Sequence, residues 1–304
     1  MTAPSPSAPI AGLHHVTAIS GPPQPNLDYY VRTLGQRLVK KTVNFDAPDV
    51  YHLYYGDGEA APGSILTFFP FMNARRGTAG PGMAQAFSYA VDPAAIDSLA
   101  AELGGTRADR FGMPVLQLRD PDGLVVELVG EPGAPARPEA FFGASLWLDD
   151  PEPTARLLAD GFGYAEVGTE TGAGGTWTRL ALPGDAPGRV IDLWRSDTPA
   201  RGRPGAGTIH HIAFRAQDDA DQDAIRARLI DLGMEVTPRI DRQYFNAIYF
   251  REPGGVLFEV ATDPPGFAID EAPTELGTAL KLPPQYEGRR AQIEAALPPV
   301  TVPA

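Results

Sequence analysis

An internal repeat that carries pairs of adjacent histidines limits this chain to a small set of folds. The chain holds five histidines, and four of them form two such pairs. Residues 12–17 read Gly-Leu-His-His-Val-Thr, and residues 208–213 read Thr-Ile-His-His-Ile-Ala. Because the flanking residues match as well as the histidines, these segments predict two copies of one supersecondary unit.

A second pair of matching segments extends the repeat. Residues 120–127 read Asp-Pro-Asp-Gly-Leu-Val-Val-Glu, and residues 252–259 read Glu-Pro-Gly-Gly-Val-Leu-Phe-Glu. In both segments a Pro/Gly turn leads into an apolar strand that carries one glutamate. With the apolar runs and helical patterns between them, the repeats predict four units, each with one strand, one helix and two or three further strands.

A stretch rich in Pro, Gly and Ala at residues 131–138 is the best linker candidate. It separates an N-terminal domain, residues 10–134, from a C-terminal domain, residues 138–268. Residues 269–304 form a proline-rich tail with one predicted helix at residues 286–296. This tail is a candidate surface for contact with a neighbouring subunit.

Two local predictions concern a helix in the first unit and a strand in the fourth. In the first unit a helix is expected at residues 26–34, with Asn26 as its N-cap and Gly35 just beyond its last turn. In the fourth unit a short strand is expected at residues 235–238.

The composition excludes several classes of site and partner. There is no cysteine, so a metal must be bound by histidine, carboxylate or other oxygen ligands. The net charge of −13 argues against a nucleic acid or an anionic membrane as the main partner. No apolar stretch approaches the ~18 residues that span a bilayer, and residues 1–9 lack the basic end and apolar core of a signal peptide. A cytoplasmic location is therefore expected.

The histidine pairs and one glutamate form a candidate metal centre. A single pair at a strand start is usually structural, but two equivalent pairs favour ligands, since neutral imidazole binds divalent transition metals. Glu259 lies in an apolar strand, where a carboxylate is costly unless it is paired or bound to a metal. The expected ligands are His15, His211 and Glu259.

The choice within each pair depends on strand geometry. Successive strand residues face opposite sides, so one histidine of each pair points inward unless a bulge re-aims it. His14 and His210 would then lie beside the ligands or against the substrate. Two histidines and one carboxylate leave up to three metal positions open for substrate, O2 or water. Since the ligands lie on equivalent strands, units one and four should meet around one metal, and units two and three should form a metal-free barrel.

Two other residues are interpreted as structural. His52 stands alone among aromatic and aliphatic neighbours and is expected to be a packed barrel histidine. Glu127 lies in a unit whose first strand has no histidine. We interpret it as a remnant of the repeat that is satisfied by structural contacts.

These motifs resemble the vicinal-oxygen-chelate superfamily, which includes glyoxalase I, extradiol dioxygenases, fosfomycin-resistance proteins and bleomycin-binding proteins. Within it, the chain is most similar to bacterial ring-cleaving dioxygenases of the hydroquinone type. Besides the two histidine pairs, the resemblance rests on residues 38–45, 51–56, 258–262 and 282–287. It implies an α+β fold in which four βαβββ modules form two cup-shaped mixed β-barrels, the glyoxalase/bleomycin-resistance/dioxygenase fold. Each half of the chain would then be a vicinal-oxygen-chelate domain of two modules.

The resemblance also implies residue roles. In that family iron(II) is held by the second histidine of each pair and the late glutamate, which correspond to His15, His211 and Glu259. The first histidine of each pair, the threonine after the first pair, and an arginine and a tyrosine before the glutamate line the substrate site. The matching residues are His14, Thr17, His210, Arg242 and Tyr249. An arginine can hold an anionic oxygen, and a tyrosine can donate a hydrogen bond to one, although both residues also fit structural roles.

The implied function is an Fe(II)-dependent, extradiol-type ring-cleaving dioxygenase that acts on a hydroquinone- or catechol-type ring, with Mn(II) as an alternative metal. Its partners would be a small aromatic substrate and O2, and formation of a homo-oligomer is left open. One alternative is a glyoxalase-like metal-dependent isomerase or lyase. Such enzymes typically add a second carboxylate ligand, and residues 64–71 contain no Asp or Glu. The other alternative is a non-catalytic small-molecule binding protein, but such relatives usually lose the ligands.

Overall fold

The structure, a computed structural model, describes residues 10–172 and 174–303. The expectation about residues 1–9 concerns a segment outside these residues. Each of the four units contains one strand, one helical segment and three further strands, so the predicted α+β fold of βαβββ modules is confirmed.

Modules 1 and 2 occupy the first half of the chain. Module 1 comprises β1 (Leu13–Ser20), α1 (Pro23–Leu27), β2 (Arg37–Asn44), β3 (Ala47–Gly56) and β4 (Ile65–Pro70). Module 2 comprises β5 (Met83–Val91), α2 (Ile96–Leu103), β6 (Thr106–Arg110), β7 (Met113–Arg119) and β8 (Val125–Gly130).

Modules 3 and 4 and the tail follow. Module 3 comprises β9 (Phe141–Trp147), α3 (Glu152–Phe162), β10 (Ala165–Gly172), β11 (Gly175–Ala181) and β12 (Val190–Ser196). Module 4 comprises β13 (Thr208–Ala216), α4 (Asp219–Asp231), β14 (Ile240–Asp241), β15 (Phe245–Arg251) and β16 (Leu257–Pro265). The tail contains α5 (Pro284–Glu287) and α6 (Arg290–Ala296), two short helices where one was predicted.

The first helix begins at Pro23, so the prediction of Asn26 as its N-cap was wrong. A proline fits the first turn because its missing N–H has no partner there in any helix. Asn26 is instead buried inside the helix, where its Oδ1 accepts a hydrogen bond of 2.8 Å from the Tyr55 hydroxyl. A π-helical segment, Asp28–Thr33, extends the helix, and Gly35 follows it with the positive φ of 74° that was expected beyond the last turn.

Short polar strands were the least predictable elements. The strand expected at residues 235–238 is absent from the described residues, and the pairing strand in this region is β14, two residues further along. The strands β6 and β10 were not predicted, because their residues are mostly polar and exposed and lack an apolar alternation. Within the described residues, no helix has the length and apolar character needed to cross a membrane.

The sixteen strands of the described residues form two eight-stranded mixed sheets, and each sheet takes one module from each half of the chain. The first sheet has the order β14-β15-β16-β13-β1-β4-β3-β2, with β1 antiparallel to β13. The second has the order β10-β11-β12-β9-β5-β8-β7-β6, with β5 antiparallel to β9. We call them the first barrel, from modules 1 and 4, and the second barrel, from modules 2 and 3. The linker near residue 135 therefore divides the chain but not the sheets.

The tail packs on module 1 of the same chain. Lys40 in β2 is fully buried, and its ammonium lies 2.6 Å from Asp270 and 2.5 Å from Glu271. A buried ammonium needs such partners, because desolvation of an unpaired charge costs several kcal/mol. Further along, the Tyr286 hydroxyl donates a 2.6 Å hydrogen bond to the carbonyl oxygen of Phe45 at the end of β2. The tail thus fixes the strand ends beside the site described below.

Candidate metal centre

Three expected ligands converge where modules 1 and 4 join in the first barrel. His15 lies on β1, His211 on the neighbouring β13, and Glu259 on β16, which pairs with β13. One donor atom from each residue lies within 4.8 Å of the other two. The two Nε2 atoms are 3.3 Å apart, and Glu259 Oε2 lies 2.9 Å from Nε2 of His211 and 3.5 Å from Nε2 of His15. All three residues are at most 5% exposed.

The carboxylate lacks the partners that a buried anion needs. Neither Glu259 oxygen receives a hydrogen bond of suitable geometry from the described residues, even though His211 Nε2 is close. Burial would raise the pKa of Glu259, but the facing imidazoles hold it below its usual range, so the carboxyl is an anion. Burial lowers the pKa of His211, which keeps its ring neutral and able to bind a metal. The donor set therefore fits a divalent metal ion.

The first histidine of each pair, His14 or His210, orients the second, His15 or His211. We call them the outer and the inner histidine. His14 Nδ1 lies 2.9 Å from His15 Nδ1, and His210 Nδ1 lies 2.8 Å from His211 Nδ1. Each inner ring therefore uses Nδ1 for a neighbouring histidine and turns Nε2 toward the shared point. Metal-binding histidines commonly donate their second N–H to such a partner, which fixes the tautomer and the ring direction.

The two outer histidines have different surroundings. His210 is exposed on one side and lines the mouth of the cavity described next, and burial together with His211 lowers its pKa to about 4. His14 is 1% exposed, packs against Phe245 and is not among the described residues that line the cavity. The structure thus brings His210 to the expected substrate site but leaves His14 behind His15.

A cavity of about 490 Å³ opens over the three ligands. Its volume is in the range of sites that enclose small organic ligands. Most of its wall is apolar and is formed by Ile19, Phe45, Phe69, Phe71, Phe245 and Leu257. The cavity can therefore bind an aromatic ring and exclude water from one side of the metal centre.

The polar part of the cavity wall contains the other expected residues. Arg242 and Tyr249 both line it, and Arg242 Nε donates a 3.1 Å hydrogen bond to the Tyr249 hydroxyl. Tyr249 is the cross-strand partner of Glu259. Burial and the carboxylate of Glu259 raise the pKa of Tyr249 well above its usual value, so the phenol keeps its proton. Thr17 also lines the cavity and shares a 2.9 Å hydrogen bond with Thr67.

Among the cavity-wall residues that were not assigned to the site from the sequence are a histidine and a tyrosine of β3. His52 was expected to be a packed barrel histidine, but both it and Tyr54 line the cavity. His52 is bonded to the Tyr54 hydroxyl and to Thr67 Oγ1, each at 2.8 Å. The signal was the alternation along β3, which places residues 52 and 54 on one face of the strand.

Comparison with known proteins agrees with this geometry. Residues 141–260 match the profile of the Glyoxalase/Bleomycin resistance protein/Dioxygenase superfamily. MhqO of Bacillus subtilis (strain 168), named as a ring-cleaving dioxygenase, is 46% identical over 96% of this chain and 97% of its own length. A chlorohydroquinone/hydroquinone 1,2-dioxygenase of Sphingobium indicum is 33% identical over 93% of this chain and 95% of its own.

Solved structures agree as well. One is the crystal structure of a protein from Bacillus subtilis subsp. subtilis str. 168 that is named as a dioxygenase. Its sequence is 44% identical to this chain, and the superposition has a TM-score of 0.90 and covers 97% of this chain and 99% of that chain. Glyoxalase I from Zea mays is 16% identical, has a TM-score of 0.64, and covers 83% and 92% of the two chains, so it shows the fold alone. The chain therefore belongs to the glyoxalase/bleomycin resistance protein/dioxygenase superfamily and, within it, to the family of hydroquinone-type ring-cleaving dioxygenases.

Proposed function

We propose that this protein is an Fe(II)-dependent dioxygenase that opens a hydroquinone- or catechol-type ring beside a hydroxylated carbon, an extradiol-type cleavage. The observation that carries the proposal is the buried carboxylate of Glu259, which faces two imidazoles in an open cavity. His15, His211 and Glu259 would hold the metal. Bound iron(II), or manganese(II), would supply Lewis acidity and the electron transfer that O2 activation requires.

The residues around the ligands have complementary tasks. The apolar wall binds the ring and keeps bulk water out, which strengthens every polar interaction in the site. The fixed charge of Arg242 and the hydroxyl of Tyr249 hold a phenolate oxygen and the charge that develops as the ring opens. His210, a neutral imidazole at the cavity mouth, can accept a phenolic proton and pass it to solvent, whereas His14 is not positioned for this task.

The reaction needs no outside reductant, because the electrons for O2 come from the ring bond that breaks and both oxygen atoms enter the product. The test is anaerobic reconstitution with Fe(II) or Mn(II), followed by O2 uptake with a panel of hydroquinones and catechols. We expect uptake together with a ring-opened acid that carries ¹⁸O from ¹⁸O2. Confirmed metal binding without uptake across the panel would contradict the proposal.

A glyoxalase-like isomerase is the alternative, and a separate assay detects it. Thr67 pairs with Thr17, two residues after His15, just as Glu259 pairs with Ala213, two residues after His211. Thr67 therefore occupies the position at which module 1 could supply a second carboxylate. Its neutral hydroxyl favours the three-ligand oxygenase, and turnover of a thiol–aldehyde adduct with Zn(II) or Ni(II) would instead favour the isomerase.

A further inference from the structure

A chain of four hydrogen-bonded side chains lies along the module 1 side of the cavity. The Tyr54 hydroxyl lies 2.8 Å from His52 Nδ1, and His52 Nε2 lies 2.8 Å from Thr67 Oγ1. Thr67 Oγ1 lies 2.9 Å from Thr17 Oγ1. Tyr54, His52 and Thr17 line the cavity, and Thr67 is fully buried behind them.

We assign the direction of the hydrogen-bonded series from its donors. Among the described residues, His52 is the one hydrogen-bond partner of the Tyr54 hydroxyl, and a phenol that keeps its proton can donate it to His52 Nδ1. Burial raises the pKa of Tyr54 well above its usual value and lowers that of His52, so the phenol keeps its proton and the imidazole is neutral. A neutral ring that accepts at Nδ1 carries its proton on Nε2 and donates it to Thr67.

The same assignment of donors and acceptors extends through Thr67 to Thr17. Thr67 accepts from His52 and therefore donates its own proton to Thr17 Oγ1. The Thr17 proton is then left without a side-chain acceptor among the described residues and can turn to the cavity. In the reverse direction His52 would donate from Nδ1 to the Tyr54 hydroxyl, whose own proton would turn to the cavity, and the tautomer of His52 distinguishes the two directions.

The hydrogen-bonded series in module 1 occupies the place that corresponds to the Glu259 carboxylate in module 4. Tyr54 pairs with Thr67 across β3 and β4, just as Tyr249 pairs with Glu259 across β15 and β16. On the module 4 side a tyrosine stands beside the carboxylate, whereas on the module 1 side a tyrosine and a histidine stand beside a threonine.

We propose that His52, with Tyr54 and Thr67, is a positioning residue that fixes the Thr17 hydroxyl as a hydrogen-bond donor to a phenolate oxygen of the bound substrate. The inference rests on the proposed function. Because both nitrogens of His52 are engaged, it offers neither a free base nor a free acid and acts through Thr17.

The first test needs neither metal nor turnover. The metal-free full chain is labelled with ¹⁵N-histidine, and the His52 signals are assigned by their loss in His52→Gln. We expect the Nε2–H tautomer in the wild type and a change in the Nδ1 signal in Tyr54→Phe, which removes the proton that Nδ1 accepts. An Nδ1–H tautomer in the wild type would overturn the direction of the chain.

The second test compares two isosteric substitutions in the iron-reconstituted enzyme. Thr67→Val removes the link between His52 and Thr17. Thr42→Val is the matched control, since Thr42 is fully buried in the same sheet and its hydroxyl has no hydrogen-bond partner among the described residues. For Thr67→Val we expect kcat to fall about 3- to 10-fold with little change in KM, the size of one neutral hydrogen bond made in the transition state. Thr42→Val should match the wild type.

Substitutions of His52 separate positioning from packing. His52→Leu should lower kcat as Thr67→Val does, and His52→Gln should recover part of the loss, because its amide can donate to Thr67. If Thr67→Val and His52→Leu match Thr42→Val while the wild type turns over a hydroquinone, the inference is wrong. If the iron-loaded wild type consumes no O2, the proposed function fails instead. The tautomer of His52 still tests the direction of the hydrogen bonds from Tyr54 to Thr17.

Discussion

The two barrels carry glutamates at matching backbone positions but neutralise them differently. In the first barrel, Glu259 pairs with the residue two positions after His211. In the second barrel, Glu127 pairs with the residue two positions after Ala86. The second barrel thus keeps the carboxylate but has alanine in place of the ligand histidine.

The other half of the second barrel differs in the same way. Asp192 pairs with the residue two positions after Gly143, so Gly143 occupies the position that His15 has in the first barrel. A Cβ atom at Gly143 would lie 2.0 Å from the carbonyl oxygen of Val190, so the backbone leaves no room for a histidine there. Small residues on both central strands leave the interior open for long side chains from the outer strands.

Two arginines occupy that interior. Arg110 lies 2.6 Å from Glu127, and Arg179 lies 2.7 Å from Asp192. The four residues are at most 6% exposed and carry two positive and two negative charges. Glu127 is thus satisfied by structural contacts, as its place in the sequence suggested. At this position on the barrel interior, where no turn supplies backbone N–H groups, the carboxylate is paired with a cation, which the chain itself supplies in the second barrel and a metal ion would supply in the first.

Breaking the ion-pair cluster of the second barrel should have the largest effect. Arg110→Met removes the bidentate partner of Glu127 and leaves a buried anion, so we expect a loss of about 3–5 kcal/mol in the free energy of unfolding. Urea unfolding measures it. Adding Glu127→Gln to this variant should restore part of the loss.

The control for this substitution lies on the same strand. Arg107→Met removes an arginine of β6 that is mostly exposed and paired with exposed Asp97, and it should cost less than about 1 kcal/mol. Equal losses in Arg107→Met and Arg110→Met would contradict the proposed role of the buried cluster.

In the first barrel, removing the charge of the corresponding carboxylate should lower metal affinity. Glu259→Gln replaces the anionic ligand with a neutral amide, and we expect metal affinity to fall by about 100-fold or more, since even residues that only orient ligands account for 10- to 100-fold. Calorimetric titration of the metal-free protein with Mn(II) measures it. Glu127→Gln is the matched control in the second barrel, and a comparable loss there would mean that the barrels do not differ as described.

Metal should stabilise the fold only through the first barrel. At a free metal concentration of 100 times Kd, we expect about 2.7 kcal/mol of added stability, because the ion binds the native state. The melting temperature with Mn(II) and with a chelator measures the gain. It should persist in Glu127→Gln and disappear in Glu259→Gln, and an equal gain in both variants would place the ion elsewhere.

The smallest predicted effect is a difference in metal affinity between substitutions of the two outer histidines of the first barrel. His14 and His210 make the same Nδ1 contact with a ligand histidine, but His14 is buried and His210 is exposed on one side. His14→Phe should lower metal affinity by about 10-fold, since no water can replace the lost hydrogen bond. His210→Phe should lower it less, because water can reach His211 Nδ1. The opposite order would show that burial does not decide the contribution of the outer histidine.

Much of the architecture and the candidate ligand set could be predicted from consecutive residues. The repeated segments fixed four modules, and the polar residues that recur inside apolar strands identified the three residues that converge, because a buried imidazole or carboxylate stands out against its neighbours. The alternation along β1 also placed Thr17 on the face of His15. These are local patterns, so they can be read from consecutive residues.

The contacts between side chains of distant strands became apparent in the three-dimensional fold, because they depend on sheet pairing. A register shift between Leu13 and His15 in the pairing of β1 with β13 is one feature that alternation does not predict. The difference between buried His14 and exposed His210 is another. The partners of His52 and of Glu127 come from other strands and are chosen by sheet pairing. Whether a buried polar group becomes a metal ligand, a positioning residue or half of an ion pair therefore depends on its neighbours in space, because these neighbours supply or withhold the charge and hydrogen bonds that burial removes.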